Sequence, residues 1–312
     1  MLDPRLRLRH LRCFLETGRL GSLSAAAEAL HVSLPAASKT IRELETILGV
    51  ELFDRSARRL ALTREGKTFQ RYAGAAMVEL DRGQSLVRAV KPEQIKLAVG
   101  ALPTASTELL PIAALSFRES HPDCLIRVST GPNWMLLSQL RDGTLDMVVG
   151  RMAQAQDMEG LLFRQLYSEK VLPIVRPGHP LCHPDWEPES LSDYPLLLPP
   201  SGTVIYPMVR AYLHHSGIGD PVPAFESVSL AFGRKVVQQS DTVWFISHGV
   251  VSSELNEGTL ASLPLQDDVL GGPMGISMRD NTLMTPEMRD WVKTVIETAH
   301  ASVKNSSQAH DR

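Results

Sequence analysis

The stretch SLSAAAEALHVSLPAASKTIRELE, residues 22–45, turns one short helix into another around a very tight corner. Ser24 reads as the N-cap of the first helix, with Glu28 close behind it where an acid favours a helix start. Ala25 to Leu30 are strong helix formers. After His31 and Val32, Ser33 caps again, and Pro35 falls in the first turn, where its missing N–H does no harm. The second segment spaces Ala37, Ile41, Leu44 and Leu48 by four, three and four residues, which makes one apolar stripe. Ala36, Lys39, Thr40, Arg42 and Glu43 occupy the other face. Helices joined by so short a turn cross steeply, and alanines let them approach closely. The pattern is a helix-turn-helix whose second helix projects outward. Ser33, Leu34, Pro35, Ala36, Ser38, Lys39 and Arg42 then point toward a major groove and its phosphates. The competing reading is a plain helical hairpin inside an enzyme.

The flanking sequence weighs against that alternative. LGVELFDRSARRLALTREG carries two short apolar runs around a tip with Arg55, Arg58 and Arg59. This is the pattern of a β-hairpin wing whose arginines suit a phosphate backbone or a narrow minor groove; a solvated charge run is the plainer reading. Upstream, HLRCFLETGRLGS supplies a supporting helix with Leu11, Phe14 and Leu15 on its inner face. Beyond Thr63, an N-cap with Glu65 in the first turn, Phe69, Tyr72, Ala76, Leu80, Gly83 and Val87 recur every three or four residues, with Ala73 and Met77 beside them. Such a stripe on a helix outside a small domain is best buried against a second copy; the alternative is the chain's own body. Pro92 ends the pattern.

Charge follows the same division. Residues 1–90 hold 15 Lys/Arg against 10 Asp/Glu, and the remainder 17 against 25, so a head of +5 precedes a body of −8. A basic head suits a polyanion. Length allows roughly two domains. No apolar run approaches the roughly 20 residues of a membrane span, and MLDPRLRLRH lacks the apolar core of a secretory signal. Cys13, Cys124 and Cys182 are odd in number and far apart, which fits a reducing cytoplasm rather than a disulfide framework.

Downstream, residues 95–100, 124–129, 145–149, 171–175, 195–198 and 242–246 read as strands alternating with helices, the first helix from about Glu108 and the second ending at Gly143. This order predicts parallel sheets covered on both faces, with ligands at the C-terminal strand ends. No G-x-S-x-G, no G-x-G-x-x-G after a strand, no P-loop and no H-E-x-x-H is present, so the reading is not an enzyme, although a binding-protein-like fold does not itself exclude one. His179-Pro-Leu-Cys182-His183 lacks the distant ligand pair of a zinc site, and no metal or cofactor is expected. Cys182 leaves a thiol sensor open.

Residues 9–65 resemble the DNA-binding head of the LysR-type transcriptional regulators, through LGSLSAAAEALHVSLPAASKTIRELE, LGVELFDRSARRLALTREG and the helix behind them. The resemblance continues through LLPIAALSF, LRDGTLDMVVG, VRPGHPL and LNEGTLASLPL in order. Within the family, SVSLAFGRKVVQQSDTVWFISHGVVSSELNEG is most similar to the regulators of protocatechuate degradation and of a galactose-binding-protein operon. One departure stands out: Leu34 replaces the glutamine usual before the proline, and an apolar contact with a thymine methyl replaces an amide there.

The resemblance implies an α/β chain: an N-terminal winged helix-turn-helix (1–65), a long linker and dimerisation helix (66–91), and a C-terminal periplasmic-binding-protein-like effector domain (92–312). That domain comprises two α/β subdomains, about 92–151 with 268–300 and about 152–267, the chain crossing near Arg151 and Asp267. A small-molecule effector lies in the cleft. Strand ends nominate Thr104, Gly131, Asn133, Arg151, Ser201, Gly202, Thr203 and Ser247, a set of hydroxyls, helix N-termini and one fixed cation suited to a small anion. The implied partners are double-stranded DNA bearing an interrupted palindrome, RNA polymerase and further copies of the chain in a homodimer or homotetramer, all in the cytoplasm. A sugar effector remains the alternative to an aromatic-acid-derived one.

Overall fold

A computed structural model of the chain describes residues 3–54, 60–88, 95–265, 270–280, 282 and 284–310. It folds as two compact units, residues 1–93 with 138–145, and residues 94–137 with 146–312.

The first unit opens with α1 (Leu8–Leu20), α2 (Leu23–Ala29) and α3 (Leu34–Leu48). Ser22, rather than Ser24, caps α2: its Oγ accepts the Ala25 N–H at 3.3 Å, and Glu28 falls in the last turn. Two serines spaced by one residue compete for the same cap, and the register of the buried Ala26 and Ala27 selects the earlier one. Ser33 caps α3 with Pro35 in its first turn, as the sequence predicts. The hairpin β1 (Phe53–Asp54) and β2 (Ala61–Leu62) pairs antiparallel, forming the wing. Thr63 then caps α4 (Arg64–Arg88) by accepting the Gly66 N–H at 2.9 Å. Gly66 is required by close approach, since a Cβ there would lie 2.1 Å from the Leu52 carbonyl oxygen. Phe14 is fully buried between the rings of Phe53 and Phe69, with centroids 5.4 and 5.3 Å away. Ala27, Ala37, Ile41 and Leu44 complete this core; each large side chain in it contributes about 1.5–3 kcal/mol of burial.

The second unit is built on one sheet. Its elements are β3 (Lys96–Ala101), α5 (Leu110–Ser120), β4 (Leu125–Thr130), α6 (Asn133–Arg141), β5 (Met147–Arg151), β6 (Leu161–Val175), β7 (Leu196–Leu198), α7 (Tyr206–His215), β8 (Phe225–Glu226), α8 (Leu230–Gln239), β9 (Val243–Ser247), α9 (His248–Asn256), β10 (Ala261–Ser262), β11 (Gly271–Arg279) and α10 (Pro286–His310). The strand order is β4-β3-β5-β11-β6-β9-β7-β8, with β10 also on β6. The sheet is mixed, not parallel as the alternation of strands and helices predicts. β3, β4 and β5 are parallel, but β11 runs antiparallel to both β5 and β6, and β6 antiparallel to β9. The segment read as a strand over 171–175 is the last third of β6. Residues Leu161–Lys170 of β6 pair with β11, and Val171–Ile174 pair with β9.

Two cores form along this one strand. Val99, Met147, Ile276, Phe117 and Trp291 fill the first, under α5 and α10. In the second, Val243 and Phe245 face one side with Tyr212, while Trp244 and Ile246 face the other with Val237 and Val250. This is the two-residue alternation of a strand covered on both faces. Helical structure after β3 starts before Glu108: a π turn spans Ala105–Leu109 and runs into α5. Pro111 has no N–H to give to the Thr107 carbonyl, and the turn before it widens.

Candidate DNA-reading face and effector site

On α3, Ala37, Ile41 and Leu44 turn inward. Ser33, Leu34, Pro35, Ala36, Lys39 and Arg42 are exposed and Ser38 is half-buried. Leu34 is 48% exposed at the head of the helix, an apolar side chain with no core to fill. Arg55, Arg58 and Arg59 lie outside the described residues. Sequence reasoning missed an ion cluster behind this face. Glu43 meets Arg9 at 3.2 Å, His10 Nε2 at 3.3 Å and Lys39 at 3.9 Å. His10 is buried, and its Nδ1 accepts the Arg7 N–H at 3.2 Å. Nε2 therefore holds the proton and donates it to Glu43. That bond, reinforced by Arg9 and Lys39, draws the Glu43 carboxyl below the usual range. The i, i+4 spacing of Lys39 and Glu43 was the one available signal.

In the second unit, the C-terminal ends of β3, β4 and β5 lie side by side: Ala101 pairs with both Thr130 and Val149. Arg151 ends β5 and is 6% exposed. Its Nε and Nη2 donate to Ser247 Oγ at 3.3 and 3.2 Å, and Nη2 also donates to the Glu169 carbonyl oxygen at 3.0 Å. Nη1 is buried without a partner. Glu169 Oε1 accepts the Gly249 N–H at 2.7 Å in the first turn of α9. A Cβ on Gly249 would lie 3.1 Å from Thr104 Cγ2 and 3.3 Å from Glu169 Oε1. Arg151, Ser247 and Thr104 are thus brought to one place, and Glu169 and Gly249 join them unforeseen. Nearby, Ser252 donates to Glu108 at 2.7 Å.

The remaining nominees stand at neighbouring strand ends. Gly131 and Asn133 follow β4 at the start of α6. Ser201 and Gly202 are exposed in the turn after β7, and the Thr203 hydroxyl donates to the Pro200 carbonyl at 2.9 Å. β7 pairs with β9, which carries Ser247. Among the described residues, no hydrogen bond joins these five to Arg151.

Burial pushes the Arg151 guanidinium below its ordinary value, against the support of Glu169 and Tyr167. Burial also raises the Glu169 carboxyl, opposed by the Gly249 N–H and by Arg151. The cysteines offer less chemistry. Burial raises the thiols of Cys13 and Cys124, which disfavours the reactive thiolate. Cys182 is exposed. His179 is held structurally, its Nδ1 accepting the Leu181 N–H at 3.1 Å. Among the described residues no helix is long and apolar enough to cross a membrane.

A duplex-reading head and a ligand-sized module on one polypeptide make a transcriptional regulator that carries its own sensor. Comparison with known proteins bears on both parts. Residues 8–67 match the bacterial regulatory helix-turn-helix protein, lysR family, and residues 91–299 match the LysR substrate binding domain, so the chain belongs to the LysR family of transcriptional regulators, a non-enzymatic family. It is 43% identical over 288 residues to the HTH-type transcriptional regulator PcaQ of Agrobacterium fabrum, covering 90% of this chain and 91% of that one. It is 33% identical over 280 residues to the uncharacterized HTH-type transcriptional regulator YdcI of Escherichia coli, covering 89% and 91%. A full-length OxyR variant from Pseudomonas aeruginosa shares the fold, with a TM-score of 0.62 over 94% of each chain at 23% identity.

Proposed function

We propose that the protein controls transcription in response to a small carboxylate, derived from an aromatic acid, bound at the strand ends around Arg151. The observation that carries this reading is Arg151 itself. A guanidinium this deeply buried, with one donor unused, is costly unless an acceptor visits it. Resemblance to the regulators of protocatechuate degradation narrows the acceptor to an aromatic-acid-derived anion. Thr104, Ser247 and the N-terminal turn of α9 supply further polar contacts; Gly131, Asn133, Ser201, Gly202 and Thr203 line the approach.

Two heads, paired through α4, read an interrupted palindrome in the cytoplasm through Ser33–Arg42 of each α3 and the arginines of each wing. Exposed Val222, Phe225, Val228 and Phe232 at one end of the sheet, and Ile112, Leu115 and Val128 at the other, support further assembly through the effector domains into a homotetramer. The effector shifts the arrangement of the heads and their contact with RNA polymerase by binding two arrangements unequally.

A thermal-shift screen of benzoate, 3,4-dihydroxybenzoate, cis,cis-muconate, galactose and glucose tests the effector class. At a concentration 100 times the dissociation constant, a cleft ligand adds about 2.7 kcal/mol to the folded state. An acid is expected to raise the melting temperature of the wild type and to do so less in Thr104→Val. A shift from the sugars alone would replace this reading with the sugar alternative.

A further inference from the structure

Around Arg151 the charges balance before any ligand arrives. Glu169 is the one buried carboxylate among the described residues, 6% exposed, and Arg151 donates to its backbone carbonyl. The other titratable groups acting on it are His248 at the start of α9 and Glu108 in the π turn; Tyr167, two residues earlier on β6, responds to Glu108, Glu169 and Arg151. Burial raises the Tyr167 phenol further above its usual range, so it stays neutral. Glu169 Oε1 is held by Gly249, and Oε2 meets no donor among the described residues.

Arg151 Nη1 borders a recess that only a glycine keeps open. A Cβ at position 272 would lie 2.8 Å from Nη1 and 3.4 Å from Met208 Cε. An anion entering there places a second carboxylate beside one buried guanidinium. Two ionised carboxylates and one cation leave a net negative charge in a poorly hydrated site, which is expensive. Groups so placed relieve the cost by sharing a proton, and the carboxylate already disfavoured by burial is the one to take it.

We propose that the recess between Gly272 and Met208 receives the effector's carboxylate on Arg151 Nη1, and that Glu169 takes up one proton from solvent as the anion binds. The inference rests on the effector reading above and adds its proton balance. The ligand enters ionised, the proton comes from water, and Glu169 becomes a neutral acid. Its Oε1 still accepts from Gly249, and Oε2 carries the proton. No other group changes charge. Binding therefore weakens as pH rises through the range where free Glu169 is ionised, and the ligand class is a carboxylic acid rather than a neutral polyol.

Calorimetric titration of the full chain with benzoate, 3,4-dihydroxybenzoate and cis,cis-muconate tests this. Each titration is repeated at one neutral pH in phosphate and in Tris, whose ionisation enthalpies differ, so the heat difference counts protons. The wild type is expected to take up about one proton with the acid it binds, and its affinity to fall about tenfold per unit rise in pH. Glu169→Gln keeps an acceptor for Gly249; it is expected to bind the same acid with no proton and no pH slope. Gly272→Ala is expected to lose that binding, because the methyl group fills the recess. Acid binding with no proton taken up by the wild type overturns the proposal and leaves the effector reading standing. So does an unchanged proton count in Glu169→Gln, or full affinity in Gly272→Ala. Should Glu169→Gln fail to fold, the wild-type proton count decides alone. If none of the acids binds, both readings fall.

Discussion

His31 shows how much of the head's geometry rests on a single residue. It holds φ 54°, the one left-handed non-glycine position among the described residues. Its N–H bonds the Glu28 carbonyl at 3.0 Å, and the next N–H, of Val32, bonds Ala27 at 2.9 Å. These are the two hydrogen bonds of a Schellman ending, with histidine where glycine is usual. The left-handed turn costs a non-glycine residue about 1–2 kcal/mol. It is accepted because the chain must reverse within three residues for Ser33 to start α3 against α2. His31→Gly is therefore expected to match or exceed the wild type in urea unfolding. His31→Val, with a branched Cβ, is expected to lose about 1–2 kcal/mol or more. A valine variant as stable as the wild type would mean that the corner is not left-handed in solution.

At the scale of elements, what the sequence discloses depends on how local the cause is. α3 is legible because its stripe, cap and first-turn proline all lie within fifteen residues. The wing is legible because two apolar runs flank a basic tip. β6 is not legible: its first ten residues, LLFRQLYSEK, mix charges with apolar side chains and read as a solvated stretch. Only pairing with β11, about a hundred residues later, makes it the strand that joins the two cores. Glu169 was missed for that reason; Arg151, at the end of the apolar run DMVVG, was not. The same contrast applies on α3, where Lys39 and Arg42 are evident and the tie from Glu43 to α1 is not. That tie makes a prediction. Glu43 holds Arg9 and Lys39 with a negative charge that DNA phosphates must displace. Glu43→Gln should bind a random-sequence duplex more tightly, and the slope of log affinity against log salt should steepen by about one, the effect of one further phosphate contact. Fluorescence anisotropy across a salt series reads both. Weaker binding with an unchanged slope would show that Glu43 serves only to pack α3 on α1.

At the scale of the whole molecule, the unresolved demand is the outer face of α4. Tyr72 and Leu80 are 49% and 53% exposed, and Ala76 and Gly83 beside them are also uncovered. Spaced by four, four and three residues, they form one strip along the helix. Small residues alternating with large ones allow two such helices to pack closely, with the side chains of one filling the gaps of the other. Burying each large side chain contributes about 1.5–3 kcal/mol, so two copies gain most from pairing across this strip. Tyr72→Glu with Leu80→Glu would instead place four like charges in the contact. The double variant is expected to sediment as a smaller species than the wild type while keeping its far-ultraviolet spectrum, because neither side chain belongs to a core. On an inverted-repeat duplex obtained by selection from random sequence, it should bind about 100-fold more weakly or worse, since the second head no longer acts at high local concentration. On a duplex holding one half-site the two proteins should bind alike, which separates lost pairing from a damaged head. If the double variant sediments as the wild type does, α4 is not the dimer contact, and the heads must be paired through another surface.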